Sequence, residues 1–232
     1  MEKKITSDIK FRQSNHFIES KFSDFTLLEL KAFEYLASQT KRADIKYIND
    51  KRDKIIDVKL TELAKLLNIQ SEHIYREIDN IVRILFRKQA EFKFVNDQGK
   101  IVHRLSQFVN SVDYCEGVFS FRVNYQVLNY FVDIKKEYTD INLKYISALN
   151  STYAIKMYKL LKQYKTIKTR IFTLEELKSQ LGIIDTYKKY SHFKQKVIDL
   201  AISKINENTD INVEYYELKV GKSVDSIEFK IQ

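Results

Sequence analysis

The chain has 232 residues, more than the ~100–200 of a typical domain and too few for three. With 44% apolar and 31% charged residues it has the balance of a folded globular protein, and no apolar run nears the ~18–20 residues of a membrane span. The lone Cys115 excludes an internal disulfide and a multi-cysteine zinc site, and 40 basic against 31 acidic residues leave a net charge of +9.

In chain order, Met1-Glu2-Lys3-Lys4-Ile5-Thr6-Ser7-Asp8 has no hydrophobic stretch behind its lysines. No secretory signal is therefore expected, and a cytoplasmic protein is read. Thr26 and Glu29 make a capping box ahead of a helix predicted over 26–38. The β-branched run Ile55-Ile56-Asp57-Val58 leads into a short helix that ends at Asn68. Ile74, Ile78, Val82 and Leu85 then recur at helical spacing, with Ser71 as the expected N-cap. Alternating runs on either side of Gly99 predict a β-hairpin from Ala90 to Phe108. Charges at Lys135, Lys136, Glu137 and Asp140 interrupt the apolar periodicity, so the boundary between halves is expected within 136–144.

The second half repeats that order. A helix over 151–164 precedes the strand-like Thr169-Arg170-Ile171-Phe172 and a capping box, Thr173 with Glu176. A short helix ends at Gly182, and a longer one opens at Ser191 with Phe193, Val197, Leu200, Ala201 and Ile205 as its buried face. A hairpin around Gly221 fills Ile211 to Ile231. Leu60–Ile69 and Leu174–Ile183 are identical at five of ten positions: Leu60/Leu174, Glu62/Glu176, Leu63/Leu177, Leu67/Leu181 and Ile69/Ile183. Helix, short strand, helix, turn, helix and hairpin, twice over, predict an α+β fold of two tandem winged-helix domains related by an internal pseudo-repeat.

Charge is unevenly spread. From Lys156 to Lys196 there are eleven basic and three acidic residues, a net of +8, against +1 in all the rest. Such a surplus points to a polyanion, because neutralising several phosphates at once releases counterions.

The stretch Leu149-Asn150-Ser151-Thr152-Tyr153-Ala154-Ile155-Lys156-Met157-Tyr158-Lys159-Leu160-Leu161 resembles the signature helix of the iteron-binding plasmid replication initiators, the Rep3/RepB superfamily. Tyr190–Val197, Ala201–Asn206, Asp210-Ile211, Tyr215-Tyr216, Lys219-Val220-Gly221-Lys222 and Ile227-Glu228-Phe229 are similar to that family in the same order. The likeness covers nearly the whole chain and is strongest from Tyr138 to Phe229. It implies that both domains grip successive major-groove faces of directly repeated double-stranded origin sites. It further implies opening of an adjacent AT-rich segment, recruitment of the host initiator and helicase, and a monomer–homodimer equilibrium. In such proteins the dimer binds an inverted repeat in its own promoter and represses it. The expected division is an N-terminal domain over 1–140, for dimerisation and secondary DNA contacts, and a main origin-binding domain over 141–232.

In a helix-turn-helix the start of the second helix meets base edges while flanking groups hold phosphates. On that basis Lys188, Lys189, Ser191, His192, Lys194, Gln195 and Lys196 are the expected DNA-binding residues, with Lys219 and Lys222 of the wing as phosphate contacts. The resemblance points to the same patch: Lys189, Lys194, Gln195 and Lys196 fall where those initiators tend to put arginines. The first domain offers Arg76, Arg83, Lys93 and Lys100, but the exposed positions of its second helix net to −1, so weaker binding is expected there.

Catalytic signatures are missing. No two glycines are close enough for a phosphate-cradling loop, and His16, His73, His103 and His192 form no neighbouring pair. A non-enzyme without cofactor or metal is therefore expected. A winged-helix transcriptional regulator with no initiator role and a protein-interaction scaffold stay open as alternatives.

Overall fold

A computed structural model describes residues 8–20, 25–40, 52–70, 73–132 and 134–232, without the side chains of residues 90 and 92–94. The expected Ser71 cap, Glu72 and the first seven residues lie outside the described residues. The chain divides into two compact units, one reaching Ser147 and the other Ala148–Gln232.

In the first unit, β1 (Lys10–Ser14) and α1 (Asn15–Ile18) precede α2 (Leu27–Gln39). The Thr26 and Glu29 capping box opens α2 as expected: each side chain bonds the other's backbone N–H. Then come β2 (Lys54–Lys59), α3 (Leu60–Leu67) and α4 (Ile74–Arg87). Asn68 ends α3 in the left-handed conformation (φ 55°), and α3 with α4 makes the helix-turn-helix. Leu63, Ala64, Leu66 and Leu67 of α3 and Ile78, Ile81, Val82 and Leu85 of α4 are buried in the core.

The wing of this unit is a correction to the sequence reading. The expected hairpin exists as β3 (Gln89–Val95) and β4 (Ile101–Gln107) around Gly99, yet it forms a separate two-stranded sheet. The three-stranded sheet is β2-β6-β5, with β5 (Val109–Cys115) and β6 (Val118–Val123) joined at Glu116-Gly117. Both turn residues have positive φ (47° and 82°), the requirement of a tight two-residue hairpin turn. The Gly117 carbonyl also accepts from the Leu60 N–H at 2.8 Å, tying the wing tip to the start of α3. β3–β4 is thus inserted between the helix-turn-helix and its wing.

The segment expected to connect the halves is also structured. After α5 (Tyr125–Leu128), β7 (Tyr138–Asn142) pairs antiparallel with β1, from Lys10 opposite Asn142 to Ser14 opposite Tyr138. Gln13 of β1 is fully buried and donates to Glu34 of α2 at 2.8 Å, which fixes the strand against the helix. The two compact units divide after Ser147, within α6 (Leu143–Ala148).

The second unit follows the expected order more closely. Ser151 caps α7 (Thr152–Lys162), and β8 (Thr169–Thr173) leads into α8 (Leu174–Leu181) through the Thr173 and Glu176 capping box. Gly182 closes α8 at φ 74°, where a Cβ would be strained. β9 (Val213–Val220) and β10 (Ser223–Ile231) form the wing, and β10 lies between β8 and β9. In both units the short leading strand thus pairs with the last wing strand, β2 with β6 and β8 with β10.

A partly buried ion cluster fastens α7 to the approach to β9. Asp210 accepts from Lys162, from Lys165 at 3.3 Å and from the Tyr158 hydroxyl at 3.0 Å. Burial alone raises a carboxyl pKa, but these donors win and hold Asp210 below its ordinary 3.8. A depressed folded-state pKa stabilises above the unfolded value and is lost as pH falls through the folded one. Urea unfolding of the second unit should therefore show a loss of stability below about pH 4. Asp210→Asn should be less stable at neutral pH and lack that part of the acid dependence.

Candidate nucleic-acid interface

The second helix of the second helix-turn-helix is not a plain α-helix. α9 (Tyr190–Phe193) passes through a π-helical turn, Lys194–Ile198, and continues as α10 (Asp199–Asn208). Lys189 is the N-cap and makes no side-chain cap bond, so Ser191 is an exposed residue of the first turn and not the cap. Four-residue spacing from Phe193 through Val197 and Ala201 to Ile205 would drift by about 40° per step on a regular helix. The wider π turn absorbs that drift and keeps all four in the core, each at most 1% exposed. Leu200, expected to be buried, is instead 51% exposed, because the core position passes to Ile198 and Ala201.

The turn before this helix is held by the protein's own lysines. Lys178 donates to the Tyr187 carbonyl at 2.9 Å and lies 5.4 Å from the Phe193 ring centroid. Lys156 donates to the Leu181 carbonyl at 3.1 Å, closing the end of α8. Arg170 donates to the Leu160 carbonyl at 2.8 Å, and Lys159 is buried. With Lys162 and Lys165 on Asp210 and Lys194 on Asp199, seven of the eleven basic residues of the surplus segment hold the fold. The other four are Lys168, Lys188, Lys189 and Lys196, all exposed.

Three of those four lie in the turn before the helix or within its first two turns. Lys188 and Lys189 lie in the turn, and Lys196 lies in the π turn beside the exposed Gln195, with exposed His192 one turn earlier. Lys219 is exposed near the end of β9, and Lys222 is exposed in the wing turn after Gly221.

Lys194 is placed differently from its neighbours. Its ammonium donates to the Tyr215 hydroxyl and to Asp199 at 3.2 Å, with Glu217 at 4.0 Å. Tyr215 in turn donates to Asp199, and Tyr190 donates to Glu217 at 2.9 Å. The hydrogen bond to Tyr215, then Asp199, keeps Lys194 above its ordinary pKa; burial, then Glu217, pushes the Tyr190 phenol well up. Strand β9 and the π turn are thereby clamped together. No sequence signal marked this network, although the strict four-residue spacing of the core positions marks the widened turn.

The first unit's second helix, α4, differs. Arg76 is exposed, but Arg83 is bound to Asp79 at 2.7 Å. Lys100 is exposed in the β3–β4 turn, and Lys93 pairs with His103 in β3–β4, its side chain lying outside those described. The inserted hairpin thus takes both lysines away from the wing. Tyr75 and Tyr114, with ring centroids 4.9 Å apart, connect α4 to wing strand β5. Among the described residues, no cluster of three or more His, Cys, Asp or Glu could hold a metal, and no helix is long and apolar enough to cross a membrane.

Comparison with known proteins places this architecture. The family model for initiator replication protein WH1 matches residues 10–162, and that for initiator Rep protein WH2 matches residues 173–231. The chain belongs to the initiator replication protein family. The initiator is 22% identical over 236 residues to an uncharacterised 27.6 kDa protein of Escherichia coli, covering 98% of this chain and 97% of that one. Its fold is similar to that of the Pi initiator protein, solved in complex with iteron DNA, with a TM-score of 0.72 at 18% identity. That match covers 99% of the initiator and 98% of the Pi chain. Domains 2 and 3 of RctB are similar at a TM-score of 0.55 and 10% identity, over 92% of the initiator and 85% of that chain. The two winged-helix units expected from the internal repeat are thus the fold of this initiator, with the first wing reassigned to β5–β6.

Proposed function

We propose that this initiator binds directly repeated sites, of the iteron kind, in double-stranded origin DNA of a plasmid and so starts replication in the cytoplasm. The observation that carries the reading is the exposed set Lys188, Lys189, His192, Gln195 and Lys196 at the start of the second helix, with Lys219 and Lys222 on the wing. Lysines there meet phosphates, and Gln195 offers the paired donor and acceptor that suit adenine. The Pi structure, with iteron DNA on a similar fold, supports the same reading.

The finer steps follow from it. Bound initiators open an adjacent AT-rich segment and recruit the host initiator and helicase. The first unit supplies secondary DNA contacts through Arg76 and the dimer interface. In support of the latter, Val95, Ile101 and Leu105 of β3–β4 are each at least 65% exposed on a two-stranded sheet, an apolar surface of the sort that self-association covers. The dimer binds an inverted repeat in its own promoter and represses it.

The test uses DNA adjoining the gene, cloned beside a marker. Footprinting should show protection of repeats over about two helical turns each, one per unit. Plasmids carrying that DNA should replicate only when the initiator is supplied. Persistence without it would leave a regulator and remove the initiator role.

A further inference from the structure

The exposed row on the second helix of the second unit contains one residue that ion pairing and phosphate contact do not explain. His192, Gln195 and Lys196 continue after the π turn into Leu200 and then Ser203, all exposed, while Lys194 and Asp199 are turned toward β9 by their bonds to Tyr215. Leu200 follows Lys196 by four residues and therefore stands above it on the same face. A leucine that is 51% exposed is ordinary on a protein surface at large. Here it stands in the middle of the row that a major groove would meet, and it is there because of the π turn. Over a regular helix, seven residues after Phe193 return to within about 20° of the same direction, which would put Leu200 in the core. The inserted width hands that place to Ile198 and Ala201. Wide turns of this sort are rare and recur at functional sites. This one is bridged by Lys194 at its start and Asp199 just past its end, both on the Tyr215 hydroxyl.

We infer that Leu200 is a sequence-reading residue that packs against the 5-methyl group of a thymine in the major groove, delivered there by the π turn. The inference rests on the proposed binding of double-stranded DNA by this helix and adds to it the base class that its apolar member reads. In the major groove thymine alone presents a methyl group, and an aliphatic side chain recognises it by excluding water. Gln195, one wide turn earlier, suits adenine. The row as a whole then favours A·T pairs at adjacent positions, with Lys196 between them on phosphate or guanine.

The experiment uses the full chain and duplexes it recovers from a random-sequence library, resynthesised with each thymine in turn replaced by deoxyuridine. Wild-type protein should lose about fourfold in affinity at one or two thymines, the size expected for one buried methyl group. Leu200→Ala should lose a similar factor on the thymine duplex and be insensitive to deoxyuridine at those same positions. Leu200→Gln, which keeps length and helix preference, should behave as the alanine variant does, and both should melt with the wild type. Equal methyl sensitivity in wild type and variants at every position would overturn the assignment of Leu200 alone. Recovery of no duplex would remove the DNA-binding reading and this inference with it.

Discussion

Reversing the charge of Lys188, Lys189 and Lys196 to glutamate should reduce affinity for a repeat-bearing duplex by at least about a hundredfold at moderate salt. The reason is the distribution of cations in the second unit. Most of the basic residues between Lys156 and Lys196 are spent on carbonyls, on Asp210 or on Asp199, and these three are among the few left at the surface. Each lost phosphate contact should lower the slope of log affinity against log salt by about 0.9 in B-DNA. Titrations at several salt concentrations read both quantities. Because all three side chains are exposed, circular dichroism and melting should match wild type. Unchanged affinity with an unchanged slope would contradict DNA binding through this helix and leave a protein-interaction scaffold as the better account.

Phe193→Ala should have the largest effect on stability. The ring is fully buried, sits 6.2 Å from the Tyr187 ring and lies under the Lys178 ammonium, so it joins the turn, the helix and the core. Truncating a buried phenylalanine removes about 3–5 kcal/mol, a large share of the about 5–15 kcal/mol that holds a domain together. Hydrogen exchange resolved by peptide should show lost protection across α7, α8 and α10, with α2 and α3 unchanged. DNA affinity should fall with it, since Lys188 and Lys189 belong to the turn that Phe193 anchors. Wild-type protection in the second unit would mean that this helix is held by other contacts.

The two helix-turn-helix units were legible because their signals are local. The capping box at Thr173, the left-handed ends at Asn68 and Gly182, and the shared Leu and Ile spacing each act within a few residues, and the structure has all of them. What escaped was set by distant pairing. Gly99 and Gly117 both mark hairpins, and nothing near either says which one β2 will join; β2 pairs with β6, more than fifty residues later. Strand β1 reads as polar because four of its five residues are polar, Gln13 and Ser14 among them although both are buried, and its partner β7 lies in a stretch whose charges suggested a boundary between the halves. The candidate interface was legible in composition and less so in geometry. The cluster of lysines was visible, but Lys194 is bound to Asp199 and Tyr215 across the π turn, and Leu200 leaves the core for the surface. A turn of different width shifts every later residue around the helix axis, so a period counted straight through it misplaces those that follow.

The pairing of β1 with β7 also governs when the first unit can be finished on the ribosome. Ser14 faces Tyr138, so the opening strand is synthesised 124 residues before its partner exists. At about 5–20 residues per second, that is a delay of roughly 6 to 25 s. Throughout it the nascent segment has no strand to join, and of its later partners only α2, whose Glu34 accepts from Gln13, is already made. Closure comes only as translation turns to the region that follows.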